Sequence, residues 1–257
     1  MTSGRPPTPV SIQQDCDGPG DAWLLPRLQM RMAPVDTPIR TPRAKLGGQP
    51  VWLEQPTWPV SASLGTPMMF VGQIPIPGEA ASLAYLFVTE DPQGGAATFA
   101  PTAGENALLV QPGGRIPSFV ATTNSATGPS LWRRGRTWDD KVDVELAVDL
   151  VVPDPVAEAA LDEEIAWQEA ERAGEMPDLP ESCDADVPAL TSYVGGKARL
   201  WQGDFEGIPV GWRFHFQLDG GEGHDPDDPY VLNFGGGSGY AFLAPDLREG
   251  RFFWDCV

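Results

Sequence analysis

Lys45-Leu46-Gly47-Gly48-Gln49-Pro50-Val51-Trp52, continued by Trp58-Pro59 and by Pro67-Met68-Met69-Phe70-Val71-Gly72-Gln73-Ile74, is the stretch on which the fold turns. A glycine pair lets the backbone take positive φ or approach a neighbour closely, and so suits a tight bend before a strand. A looser version returns late in the chain. There Val194-Gly195-Gly196-Lys197 leads through Trp201-Gln202 to Gly211-Trp212-Arg213-Phe214-His215-Phe216-Gln217-Leu218. Each version is followed by a second aromatic run, Leu83-Ala84-Tyr85-Leu86-Phe87 in the first and Tyr240-Ala241-Phe242 in the second. The order predicts one supersecondary unit used twice, with connections of differing length and no Trp-Pro in the second copy.

The intervening sequence fits a β-rich chain. Leu28, Met30 and Met32 alternate with Arg27, Gln29 and Arg31, and Val142 to Val152 repeats the pattern, the period of two of a half-buried strand. Ala107 to Gln111 reads as a further short strand, Ala121 to Ser130 as an exposed loop. Late in the chain, Tyr230 to Phe234, Tyr240 to Leu243 and Arg251 to Trp254 are short apolar runs bounded by turn residues, which predicts a meander. Trp212, Phe214, Phe216 and Leu218 are expected on one strand face, with His215 and Gln217 on the wetter one. Asp154-Pro155 supplies an N-cap and a first-turn proline for a helix to about Ala173, with Ala157, Leu161 and Ile165 on its apolar stripe. Its acids, among them Glu158, Asp162, Glu163 and Glu169, are expected to form a solvated face.

The expected organisation is α+β and predominantly β: an N-terminal arm (1–22), a first sheet unit (23–153), an acidic helix and linker (154–188) and a second unit (189–257), in one body with a few peripheral helices. With 257 residues, a core can form without disulfides or metal. Cys16, Cys183 and Cys256 are scattered and odd in number, which indicates reduced thiols and a cytoplasmic setting. No apolar signal region and no membrane-spanning run is visible.

Formal net charge is −19, and it is uneven: residues 1–150 carry 14 acids and 11 bases, residues 151–257 carry 22 and 6. Such a field disfavours nucleic acid and anionic membranes and attracts a basic protein partner or a cation. Familiar catalytic equipment is missing. His215 and His224 have no nucleophile signature beside them, and Gly235 to Gly239 lacks the lysine and following helix of a phosphate loop. The oxygens of Asp219 to Pro229 invite a calcium site, yet their order matches no calcium loop, and a polar turn is expected.

Gly47-Gly48-x-Pro50, Trp58-Pro59, Pro67-x-x-Phe70-x-x-Gln73-Ile74, Leu83-x-Tyr85-Leu86-Phe87 and the glycine-rich turn before Tyr240-Ala241-Phe242 resemble, as an ordered set, the bacterial YwqG-like family of unknown function. The resemblance runs from about Pro26 to the end, excluding the acidic helix and linker. It implies a cytoplasmic, internally duplicated protein, and it carries over no catalytic residue and no cofactor. Two classes of function follow. One is a non-enzymatic binding protein acting on a basic protein partner, an immunity- or antitoxin-like role suggested by related families lying beside toxin genes. The other is a small-molecule ligand site, or an enzyme, in a cleft between the units near Trp58, Gln73, Trp201 and Gln217. The plainer expectation for both glutamines is a structural bond to opposing backbone.

Overall fold

A computed structural model describes residues 25–256 apart from 79, 138–139, 176–177, 179–188, 203–204, 206 and 222–227. The expected N-terminal arm, nearly all of the acidic linker, His224, Cys16 and Cys183 therefore lie outside the described residues. Cys256 is a free, half-buried thiol.

The elements, in chain order, are β1 (Leu28–Pro34), β2 (Lys45–Gly47), β3 (Trp58–Val60), β4 (Met69–Pro75), β5 (Leu83–Val88), β6 (Asn106–Gln111), β7 (Ala121–Thr123), β8 (Trp132–Arg134), β9 (Lys141–Asp143), β10 (Glu145–Val151), α1 (Pro155–Arg172), β11 (Tyr193–Val194), β12 (Arg213–Asp219), β13 (Ser238–Leu243) and β14 (Gly250–Asp255). Ten of the strands form one antiparallel sheet in the order β14-β13-β12-β11-β1-β10-β2-β4-β5-β6. β14 comes back against β6, where the absent Cβ of Gly250 would lie 2.5 Å from the Leu108 carbonyl oxygen, so the sheet is nearly closed. The ribbons β3–β7 and β8–β9 lie outside that order.

The central pair ties the two ends of the chain together. β1 precedes β2 but pairs with β11, whereas β10 precedes β11 but pairs with β2. Each half of the sheet is thus completed by a strand delivered from the other half, and β1 and β10 pair over six residues between them.

Burial follows the pleat. Side chains such as Leu46, Val71, Leu86, Leu108, Leu146, Phe216, Leu218 and Phe252 fill the interior. The outer face of the first half is covered by Trp58, Met68, Phe70, Tyr85 and Phe87, and that of the second by Tyr193, Leu200, Trp212, Phe214 and Phe242 together with the helix. Both faces of β4, β5, β6 and β13 are therefore dry, whereas the central strands β1 and β10 are partly exposed and carry Arg31 and Asp149.

The same backbone devices recur in both halves. Gly47, Gly48, Gly195 and Gly196 all have φ between 62° and 70°. A Cβ on Gly47 would meet the Val144 oxygen at 2.1 Å, and one on Gly195 would meet the Pro26 oxygen at 2.5 Å. Gln73 Oε1 accepts from Val51 N and its Nε2 donates to Arg43 O; Gln217 Oε1 accepts from Arg199 N and its Nε2 donates to Thr191 O. Gln111 Oε1 takes the Leu53 and Glu54 N–H groups, as the Asp255 carboxylate takes those of Trp201 and Gln202. β4 and β12 each carry an irregularity, at Phe70/Gly72 and at Phe214/Phe216.

That irregularity corrects the expected face assignment. An extra residue in one strand re-aims the side chains that follow it. Trp212 and Phe214 accordingly pack outside while Phe216 and Leu218 point inside, and neither face is wet: His215 is 2% exposed and Gln217 fully buried. Tyr230 to Phe234, expected as a strand, is a buried irregular segment, and β13 begins within the expected glycine turn.

The helix forms as its signals dictate, with Asp154 accepting from Val156 N and Ala157 N and with Gly174 at φ 81° beyond its end. Among the described residues it is the only helix, fewer than expected. Burying Leu161 and Ile165 contributes about 2 kcal/mol each. Its acids are not simply solvated: Asp162 pairs with Arg27 at 2.8 Å, Glu164 with Arg199 at 2.5 Å and Glu169 with Lys197 at 2.8 Å. No helix among the described residues is long and apolar enough to cross a membrane.

Replacing Gln73 with Leu removes both partners from Val51 N and Arg43 O, so urea denaturation should show a loss of about 2 kcal/mol. Unchanged stability would mean that this amide is not holding the scaffold.

Candidate functional site

A cleft of about 740 Å³ lies at one end of the sheet. Its floor is the end of the interior core, Met69, Val88, Leu232 and Phe234. Its walls are the β5–β6 connection, the β8–β9 ribbon, residues 231–235 and Trp254, so both halves contribute.

Two of the wall segments are longer than their counterparts in the other half. The β5–β6 connection spans 89–105, whereas β13–β14, its positional counterpart counted outward from β1–β10, spans only 244–249. Similarly, β12–β13 spans 220–237 against 76–82 for β4–β5. Residues 89–99 of one longer connection and 231–235 of the other line the same cleft.

Buried polar groups hold these walls in place. The Glu105 carboxylate accepts from Ser61 Oγ at 2.6 Å, Thr89 Oγ1 at 2.8 Å and Ser63 N at 2.7 Å. Burial pushes its pKa up, but these hydrogen bonds outweigh it and leave the carboxyl below its usual range. Asn106 Nδ2 donates to the Thr98 and Ala100 carbonyls. Asp91 accepts the N–H groups of Gln93, Gly95 and Ala96, which hold it ionised below the usual carboxylate range. Val231 N donates to Trp132 O at 2.8 Å, joining the second half's long connection to the ribbon.

Inside the cleft the chemistry is aromatic with a few charges. Trp132 Nε1 donates to Glu90 Oε1 at 3.0 Å, and the Lys141 ammonium, 4.4 Å from the centre of the Trp132 ring, pairs with the same carboxylate oxygen. Trp254 Nε1 donates to Thr98 Oγ1 at 3.1 Å, and its ring stacks on Phe234 with centroids 5.7 Å apart. Phe99, 55% exposed, meets Trp254 edge-on at 6.0 Å. Both indole N–H groups are spent within the protein, so the two tryptophans offer flat faces rather than donors.

None of Trp58, Gln73, Trp201 and Gln217 lines this cleft. Trp58 is fully buried in the outer cluster of the first half, its Nε1 donating to Met68 O at 2.8 Å. Trp201 packs against the outer cluster of the second half, 4.1 Å below the Arg199 guanidinium, with its Nε1 on Ser238 Oγ at 3.3 Å. The glutamine amides bond to backbone as described. The four side chains sit two and two, on opposite halves, and do not converge.

Apart from Met69, the cleft residues do not belong to the repeated pattern, so the pattern does not point to them. The available signal was the difference in connection length between the two halves, which occurs at 89–105 and 220–237 as well as at the helix-bearing β10–β11 connection. Part of the suggested calcium loop, 222–227, lies outside the described residues; among those described, no group of three or more His, Cys, Asp or Glu is placed to hold a metal ion.

His215 takes the position in β12 that Val71 holds in β4, by the register on either side of the two irregularities. Neither of its ring nitrogens has a hydrogen-bond partner. Burial pushes its pKa down to about 4, against an opposing pull from the Ile74 backbone. In comparisons with protein-family models, curated proteins and solved structures, nothing matches this chain.

An unfolded histidine takes up its proton near 6.5, the folded one only near 4. Stability should therefore fall with pH across that window, by roughly 3 kcal/mol in all. His215→Val, which installs the residue of the equivalent position, should abolish that fall and raise stability at pH 5. Identical pH profiles for the two proteins by chemical denaturation would contradict the burial of a neutral imidazole.

Proposed function

We propose that this chain is a binding protein made of two related halves in the manner of the YwqG-like family, and that its ligand site is the cleft where the halves meet. The duplication is supported by the shared glycine pairs, the twin glutamine bonds and the matching irregularities in β4 and β12. The binding site is supported by one observation above all. Two connections that are longer than their counterparts in the other half, 89–105 and 220–237, contribute residues 89–99 and 231–235 to the lining of one cleft of about 740 Å³. In a repeated scaffold, length added to one copy only is free to serve a site rather than the fold.

Binding is favoured over catalysis because the cleft's two carboxylates are already engaged. Glu90 is committed to Trp132 and Lys141, and Asp91 to its own loop. The favoured partner is a basic polypeptide, in an immunity- or antitoxin-like role in the cytoplasm, because a chain of net charge −19 steers cations towards itself. A small molecule occupying the same cleft is the second reading, favoured by its volume and its apolar floor beside Trp132 and Trp254.

Ala96 lines the cleft and is half-buried, so Ala96→Trp fills it without entering the core. Native mass spectrometry of gently purified protein should show a bound species that is lost in the variant at unchanged melting temperature. A species retained by Ala96→Trp would place the site elsewhere.

A further inference from the structure

We propose that the cleft receives an alkylammonium group, the lysine side chain of a basic polypeptide, at the spot now held by the chain's own Lys141. This rests on the cleft being the binding site and specifies what enters it.

The Lys141 ammonium, centred over the Trp132 ring and paired with Glu90, occupies a complete cation site: an indole face below and a carboxylate beside. The site does not depend on its occupant. Trp132 is fixed from two other directions, through its Nε1 on Glu90 and its carbonyl on Val231 N, so removing the lysine leaves ring and carboxylate in place.

The occupant is also weakly held. The side chains of Lys141 and Glu90 are 47% and 36% exposed, and ion pairs of that exposure contribute little to stability. An incoming lysine therefore displaces Lys141 at small cost.

Charge supports the exchange. The cleft's lining carries Glu90, Asp91, Arg134 and Lys141. With Lys141 swung out, two carboxylates face one guanidinium, and Asp91 stays ionised because its own loop donates to it. A bare cation thus finds a net negative site inside a strongly acidic protein. The cleft is far larger than one lysine side chain needs, and Phe99 and the Trp254–Phe234 stack offer apolar faces beside the ammonium spot. Room and faces for neighbouring residues favour a lysine presented by a polypeptide over a free amine.

The test titrates wild type, Lys141→Ala and Lys141→Gln by calorimetry with an acetylated, amidated hexapeptide carrying one central lysine, and with N-acetyl-lysine methylamide. Both variants should bind the peptide roughly fivefold tighter than wild type. Adding Glu90→Gln should cancel the gain, and the same hexapeptide with norleucine in place of its lysine should show none. The methylamide should bind much more weakly than the peptide; equal affinity would overturn the polypeptide source. No gain in either Lys141 variant would overturn the assignment of the cation spot, while the Ala96→Trp comparison separately decides whether the cleft is the site at all.

Discussion

Two buried amides, Gln73 and Gln217, hold the scaffold together. Each sits on a strand that pairs with the short strand before a glycine pair, and each bonds the chain on both sides of that pair: Arg43 O and Val51 N for one, Thr191 O and Arg199 N for the other. The glycines must turn through positive φ at a spot where a Cβ would strike the carbonyl just ahead of β10 or β1. A sharp turn buried against a sheet leaves backbone groups without ladder partners, and the amide, with two donors and a two-lone-pair acceptor, satisfies them. From there the rest follows: the β1–β10 centre, the two outer aromatic clusters, and the return of β14 to β6.

Much of this was legible in the sequence because it rests on local chemistry. Alternation locates β1 and β10, apolar runs bounded by turn residues locate β4, β5, β6, β13 and β14, and Asp154-Pro155 with Gly174 bounds the helix to within a residue or two. The structural part of the glutamine expectation was also readable, since a lone Gln in an apolar strand must find partners. His215 was misjudged for a physical reason. A strict period of two assumes an unbroken strand, and the irregularity at Phe214/Phe216, together with the helix cover, makes both faces of β12 dry. The helix acids were misjudged because Arg27, Lys197 and Arg199, the cations they meet, are remote in sequence and come alongside only when β1 joins β11.

The cleft was illegible from motifs because its residues serve no repeated structural need. Trp132, Glu90, Lys141, Phe99 and Trp254 lie in separate elements, and nothing in their spacing announces that they meet. Asymmetry is the better guide. The sheet uses the same kinds of bond around both glycine turns, and Glu105, Asn106 and Asp91 tie down the first of the longer connections. Such pre-ordering lowers the entropy lost on binding. The interior core at that end of the sheet supplies the apolar floor, the ribbon supplies the cations Arg134 and Lys141, and the β5–β6 connection supplies the carboxylates Glu90 and Asp91.

Hydrogen–deuterium exchange of the protein with and without a lysine-bearing basic polypeptide tests the central claim most directly. Slowed exchange should be confined to 89–99, 132–134 with 141, and 231–235, leaving both glycine turns and the helix unchanged. Protection centred on the helix, with none in those three segments, would contradict a ligand site at the junction of the two halves.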